Sequence, residues 1–209
     1  MPDTHRLVGS LKTDPHAWPW TCQLVAVKGE NKKDNSTTIV HKCGCALIDN
    51  EFVVTAAHCF AKRISPLAIF TDSIWPICLP LKPPKNNGMC VVTGWGRLKE
   101  GGERPLTLRE IHVPILSTTT CNNFRHYSGR MHTTSMICAG FNNGRIDSCQ
   151  GDSGGPLQCQ NKKGVWELQG VVSWGIGCAQ PKFPGVYTKI YAMKPWIRTE
   201  MSKLRPKKK

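Results

Sequence analysis

The chain has 209 residues, of which 40% are hydrophobic and 20% charged, enough for one large domain or two small ones. No run of about 18 apolar residues and no secretory apolar segment occurs, so the sequence predicts neither a transmembrane segment nor a signal peptide. The formal charge is +14, but most basic residues are scattered and no aromatic-basic motif accompanies them, which argues against nucleic-acid binding.

Short β-rich runs recur between clusters of Gly, Pro and Asn. In chain order they are CQLVAV from Cys22, FVVTAAHC from Phe52, CVVTGWG from Cys90, IHVPIL from Ile111, LQGVVSW from Leu168 and GVYTKI from Gly185. Their spacing predicts β-barrels or a sandwich. Only residues 191–204 predict a helix, because Trp196, Ile197 and Met201 have helical spacing and Pro195 lies near the first turn.

Eleven cysteines are many for a reducing compartment, and they lack the paired short spacings of a zinc ribbon. They therefore predict disulfide bonds. Asn35-Ser36-Thr37 is an acceptor for N-glycosylation, which agrees with a secreted protein or one in a vesicle lumen. Because no signal peptide is present, we also expect a truncated or alternatively assembled N-terminus.

Two motifs carry the chemistry. The first is DSCQGDSGGP at residues 147–156, a glycine-rich turn that would expose a serine hydroxyl while backbone N–H groups converge on one point. The second is VTAAHC at residues 54–59, where a histidine beside a cysteine ends a strand. With histidine before serine in the chain, the two motifs resemble those of the trypsin-like serine proteases of the chymotrypsin family.

The resemblance implies an all-β fold of two antiparallel six-stranded barrels, the first incomplete, with a C-terminal helix. Residues 7–204 would form the protease domain, residues 1–6 a remnant of a pro-segment and residues 205–209 a basic tail. The active site would lie in the cleft between the barrels. No cofactor and no metal is expected.

The resemblance also assigns roles to the residues of the two motifs. Ser153 is the expected nucleophile, and His58 is the expected base that takes its proton and returns it to the leaving amine. The N–H groups of Gly151 and Ser153 would form the oxyanion hole. The expected substrates are proteins or peptides.

Substrate choice is expected to depend on Asp147, six residues before the serine, where trypsin-like enzymes place a carboxylate at the floor of the primary pocket. This position predicts cleavage after Arg or Lys. The resemblance places six residues around the pocket: Asp147, Ser148, Ser173, Trp174, Gly175 and Gly185.

The sequence RLVGS at residues 6–10 resembles a zymogen cleavage site. Cutting after Arg6 would free the amine of Leu7, which is expected to pair with Asp152 and to order the oxyanion loop. Leu7 and Ser10 depart from the commoner Ile and Gly at these positions.

The resemblance implies four disulfide bonds, each fixing a functional loop: Cys43–Cys59, Cys90–Cys159, Cys121–Cys138 and Cys149–Cys178. Cys22 and Cys45 lie on the two strands of an expected hairpin and could pair across it, which the sequence does not decide. In this family Cys78 normally pairs with an upstream pro-segment. Because no cysteine precedes Cys22, we expect N-terminal sequence to be missing or a partner chain to supply the thiol.

The region between His58 and Cys78 departs most from the family. The family usually places several strands here, one of which carries the aspartate that orients the histidine, and this chain lacks that stretch. The acid in the remaining segment, Asp72, matches a non-catalytic surface position. The sequence therefore predicts a triad without its third member.

Three functional hypotheses remain. The chain is a secreted endopeptidase of weak or absent activity, or a non-catalytic form that binds basic peptides, inhibitors or polyanions, or a variant product with no function of its own. Serpin or Kunitz-type inhibitors are the expected inhibitory partners. The dense cluster of basic residues from Lys203 to Lys209 favours polyanions.

Overall fold

A computed structural model of the chain describes residues 9–31, 36–59, 71 and 73–205. The predicted cleavage site at Arg6 and Leu7 lies outside these residues. So do the glycosylation acceptor Asn35 and the acid Asp72.

Six strands of the second half of the chain close into an antiparallel barrel. They are β5 (Met89–Gly94), β6 (Arg109–Leu116), β7 (Met136–Ala139), β8 (Pro156–Gln160), β9 (Trp166–Trp174) and β10 (Gly185–Lys189). Their order is β6-β5-β8-β9-β10-β7, and the pairing of β7 with β6 closes the ring. A two-residue strand, β1 (Leu11–Lys12), also pairs with β6.

The strands of the barrel bury apolar side chains, either in alternation, as in β6, or in continuous runs, as in β5. In β6 the side chains of Ile111, Val113 and Ile115 are buried, whereas His112 between them is exposed. Buried side chains from all six strands meet in a core that includes Leu157 and Tyr187.

We expect Leu157→Ala to lower the free energy of unfolding by about 2 to 5 kcal/mol, because Leu157 is fully buried and its removal leaves a cavity. Chemical denaturation measures the change. Val165→Ala is the control, since Val165 is 43% exposed, and it should change stability by less than about 0.5 kcal/mol. Equal effects of the two substitutions would contradict the assigned core.

The first half of the chain forms a smaller antiparallel sheet. In the described residues it contains three strands, β2 (Thr21–Asn31), β3 (Ser36–Leu47) and β4 (Val53–Val54), in the order β2-β3-β4. Val25, Val27 and Ile39 of this sheet are exposed, at 44%, 60% and 60%. The closed barrel, the smaller sheet and the C-terminal helix confirm the predicted fold class.

The C-terminal helix, α2 (Ile190–Leu204), joins the two halves. Its residues Ile190 and Ile197 pack in one core with Leu47 of β3 and Leu168 of β9. Of the residues in the predicted helical pattern, Trp196 is 64% exposed, whereas Ile197 is buried and lies on the face of the helix that packs against the core. No helix of the described chain has the length and apolar character that a membrane crossing requires.

Two short helical turns were not predicted. A 3₁₀ turn spans Ala57–Cys59 directly after β4. A single-turn helix, α1 (Thr118–Cys121), begins after Ser117, whose hydroxyl accepts a hydrogen bond from the Thr120 N–H at 3.0 Å. Such short segments carry no helical periodicity in the sequence.

Candidate active site

Strand β3 holds the histidine segment and the serine loop side by side. Cys59 of the 3₁₀ turn is bonded to Cys43 of β3. The next residue of β3, Gly44, donates its N–H to the carbonyl of Ser153 at 2.9 Å and accepts from the hydroxyl of Thr55 at 2.8 Å. Two adjacent residues of one strand thus attach both segments.

Gly154 lets the serine loop approach this strand closely. Its φ is +83°, in the left-handed region that favours glycine. A Cβ at this position would overlap the hydroxyl of Thr55 and would lie 2.6 Å from the carbonyl oxygen of Gly44. The close approach therefore requires the glycine that follows Ser153.

His58 is the exposed middle residue of the 3₁₀ turn. In the described part of the chain, no hydrogen bond or ion pair reaches its ring. A ring nitrogen of His58 and the sulfurs of Cys43 and Cys59 lie within 4.8 Å of one another. Because both sulfurs are in a disulfide, this cluster has no thiolate to offer a metal.

The serine loop leaves the two expected oxyanion donors free. The N–H groups of Asp152, Gly154 and Gly155 all donate to backbone carbonyls, at 3.0, 2.8 and 2.8 Å. The N–H groups of Gly151 and Ser153 donate to no described residue. Free N–H groups on either side of a serine are what an oxyanion hole requires.

Asp152 anchors the loop from inside. Its carboxylate is fully buried and accepts the N–H of Gly96 at 2.7 Å and that of Cys149 at 2.9 Å. Burial raises its pKa to about 6, although both hydrogen bonds act in the opposite direction. The amine of Leu7, its expected partner after cleavage, lies outside the described residues.

The structure adds two residues to the site that the sequence analysis missed. His41 of β3 places its Nε2 2.8 Å from the carbonyl oxygen of Gly151, and Arg104 donates to the backbone carbonyl of His41 at 3.0 Å. A carbonyl only accepts, so Nε2 carries the proton and Nδ1 faces the side-chain amide nitrogen of Gln23 at 2.5 Å. Burial lowers the pKa of His41, and Arg104 lowers it further.

The primary pocket is a cavity of about 190 Å³ beside Ser153. All six residues predicted to surround it line it: Asp147, Ser148, Ser173, Trp174, Gly175 and Gly185. Glu100, which the sequence analysis did not consider, adds a second carboxyl group to the lining. No motif marked Glu100, because its loop reaches the pocket only in the folded chain.

Asp147 is 4% exposed and accepts hydrogen bonds from the N–H groups of Ser148 and Ala179, at 2.8 and 3.2 Å. A Cβ on Gly185 would lie 2.7 Å from the carboxylate, so only glycine leaves the floor open. Burial raises the pKa of Asp147 to about 7, more than the hydrogen bonds lower it.

This raised pKa predicts how stability depends on pH. Between about pH 4 and 7 the folded protein holds a proton on Asp147 that the unfolded chain has released, so the free energy of unfolding should fall as pH rises. The loss amounts to at most about 4 kcal/mol. Denaturant titrations from pH 4 to 8 should show a shallower decline in Asp147→Asn, and equal slopes would contradict the prediction.

The structure contains five disulfide bonds. Four are the pairs that the resemblance implies: Cys43–Cys59, Cys90–Cys159, Cys121–Cys138 and Cys149–Cys178. The fifth joins Cys22 and Cys45, which stand directly opposite in the register of β2 and β3 with Cα atoms 4.8 Å apart. Cys78 is free and exposed.

Similar proteins include relatives that are named as serine proteases. The chain is 35% identical to Transmembrane protease serine 11C of Mus musculus, over 94% of this chain and 54% of the relative. It is 35% identical to Serine proteinase stubble of Drosophila melanogaster, over 94% of this chain and 31% of the relative. The chain thus spans about half or less of the length of these relatives.

The sequence model of the family described as Trypsin matches residues 7–69 and 62–197, two pieces that overlap at residues 62–69. The alignment with the mouse relative runs over 244 positions but takes in 94% of the 209 residues of this chain, about 196, so roughly 48 positions hold no residue of this chain. Matches of this extent, together with the serine loop and the histidine segment, settle the family. The chain belongs to the trypsin-like serine proteases of the chymotrypsin family.

Proposed function

We propose that this chain is a serine endopeptidase domain that selects Arg or Lys and turns substrate over weakly or not at all. The observation that carries the selectivity is the buried carboxylate of Asp147 in the cavity beside Ser153. A long cationic side chain entering this cavity would meet Asp147, whose hydrogen-bond partners among the described residues are two N–H groups and the hydroxyl of Ser148.

The proposed reaction uses the two attached segments. The hydroxyl of Ser153 adds to the peptide carbonyl carbon while His58 takes its proton, and the N–H groups of Gly151 and Ser153 stabilise the oxyanion. His58 then protonates the leaving amine, and the C–N bond breaks. Water releases the acyl group by the same steps in the second half of the reaction.

Weak turnover follows from the environment of His58. No carboxylate of the described residues bonds to Nδ1 of His58, and without such a partner the ring is not held in the tautomer that accepts the serine proton at Nε2. The two overlapping pieces of the family match, which meet at residues 62–69, support a join in this segment. The positions of the mouse alignment that hold no residue of this chain support a missing stretch.

The test is hydrolysis of an Arg-ended chromogenic peptide by the protein after its own chain has been cleaved at Arg6. The Ser153→Ala variant, treated in the same way, is the control. We expect a rate at most slightly above that of the variant. A rate typical of family members with a full catalytic triad would contradict the proposed weak turnover. Saturable binding of a Leu-ended peptide, without binding of the Arg-ended one, would contradict the proposed selectivity.

A second candidate function is binding without catalysis. The open primary pocket favours it, and so does the lack of a described hydrogen-bond partner for the ring of His58. It would hold basic peptides or serpin or Kunitz-type inhibitors in the primary pocket without cleaving them. Benzamidine binding without any labelling of Ser153 by an active-site phosphonate would favour this candidate. For either function we propose an extracellular or vesicular location, which the five disulfide bonds support.

A further inference from the structure

A second concavity, about 600 Å³ in volume, lies on the barrel and shares no lining residue with the primary pocket. It lies between residues 81–90, which lead into β5, and the turn that joins β8 to β9. Leu81 and Met89 line it and are 70% and 55% exposed. Its volume is that of sites that bind ligands, about 300 to 1,000 Å³.

The rim of this groove is basic. Four lysines line it: Lys82, Lys85, Lys162 and Lys163. Within the described residues, none of their ammonium groups forms an ion pair or a side-chain hydrogen bond. We call this feature the lysine groove.

The carboxylate that lines the groove does not neutralise the rim. Glu167 is 4% exposed, and its oxygens accept from the amide nitrogens of Asn161 at 2.9 Å and Gln169 at 3.1 Å. Each oxygen thus has a donor inside the protein, and this one buried carboxylate stands against four exposed lysines. The charges that the groove presents to solvent are positive.

We propose that the lysine groove binds an acidic peptide segment that carries apolar side chains between its acidic residues. The lysines would pair with the carboxylates, and Leu81 and Met89 would cover the apolar side chains. A sulfated glycan complements the charge but offers nothing apolar to these two residues. A membrane surface does not enter a concave groove. The observations therefore favour a peptide.

The probe is the fluorescein-labelled peptide Glu-Asp-Leu-Phe-Asp-Glu, which contains no Arg or Lys for the primary pocket. Fluorescence anisotropy with the Ser153→Ala protein should show saturable binding. Raising the salt from about 0.05 to about 0.3 M should weaken it, because the lysines are exposed. Absence of saturable binding at low salt would overturn the proposal.

Paired variants locate the site. The double variant Lys85→Gln, Lys162→Gln should weaken peptide binding about 5-fold or more. The control is the double variant Lys12→Gln, Lys182→Gln, which removes the same charge from exposed lysines outside the groove and should change the affinity less than about 2-fold. Equal losses in both pairs would mean unspecific attraction to the +14 chain and would overturn the proposal.

The apolar contribution separates a peptide site from a glycan site. Leu81→Ser should weaken peptide binding about 3-fold or more, and so should replacing Leu and Phe of the peptide by Ser. A sulfated oligosaccharide that binds more tightly than the peptide, with an affinity unchanged by Leu81→Ser, would overturn the proposal in favour of a glycan site. Circular dichroism checks that each variant is folded.

Discussion

Replacing the segment between Cys59 and Cys78 by the corresponding segment of mouse Transmembrane protease serine 11C should raise kcat by about 10⁴-fold. The graft would supply a carboxylate for Nδ1 of His58, and 10⁴ is the effect that removing this aspartate has in members of the same family. Turnover of an Arg-ended chromogenic peptide measures the gain. Benzamidine affinity should change little, because the primary pocket lies on the barrel.

The matched control is the same graft with its triad aspartate changed to Asn. It keeps the added strands and removes only the charge, so its kcat should stay near that of the present chain. If the control were as active as the graft, the added strands would be responsible rather than the carboxylate. If the present chain already matched the graft, Asp72 or a neighbour would support His58.

Asp147→Asn should raise the Kd for benzamidine at least about 100-fold. The amidinium would lose a buried charge partner, and such losses cost about 2 to 5 kcal/mol. Calorimetric titration at pH 8 measures the change, since Asp147 with a pKa of about 7 is then ionised in the empty pocket. Wild-type affinity should fall below pH 7, where binding must first remove a proton from the carboxyl group.

Glu100→Gln is the control for this effect. Glu100 also lines the pocket and loses the same charge, but it is exposed, so water and salt screen its interaction with the ligand. We expect less than about a 5-fold change in Kd. Equal effects of the two substitutions would mean that the general field of the pocket, rather than a pairing with Asp147, selects the cation.

The sequence predicted the elements whose signals are local. The strands at Cys90, Ile111 and Leu168 alternate or run apolar because each has a buried face, and the serine loop needs its glycines within a few residues of Ser153. Both signals can be read in a short window. The strands and the serine loop were therefore predictable from short windows, whereas closure of the strands into a barrel was expected only from the resemblance to the family.

What the sequence did not predict depends on contacts between distant residues. His41 contacts Gly151, 110 residues away, and Arg104 contacts His41 across 63 residues. The pairing of Cys22 with Cys45 depends on the register of two strands, which alternation alone does not fix. Glu100 and the lysine groove likewise exist only once separate loops meet.

The two proposed catalytic side chains belong to different sheets, and in the described part of the chain only one of these sheets is closed into a barrel. Ser153 precedes β8 of a barrel whose six strands pair in a ring, whereas His58 follows a two-residue strand of a sheet with exposed valines. Local opening of proteins begins where few apolar contacts hold the backbone. In mild denaturant the smaller sheet should therefore open first and separate His58 from Ser153, while the backbone amides of the barrel still resist hydrogen exchange. We therefore expect the proposed catalytic pair to separate before the barrel unfolds.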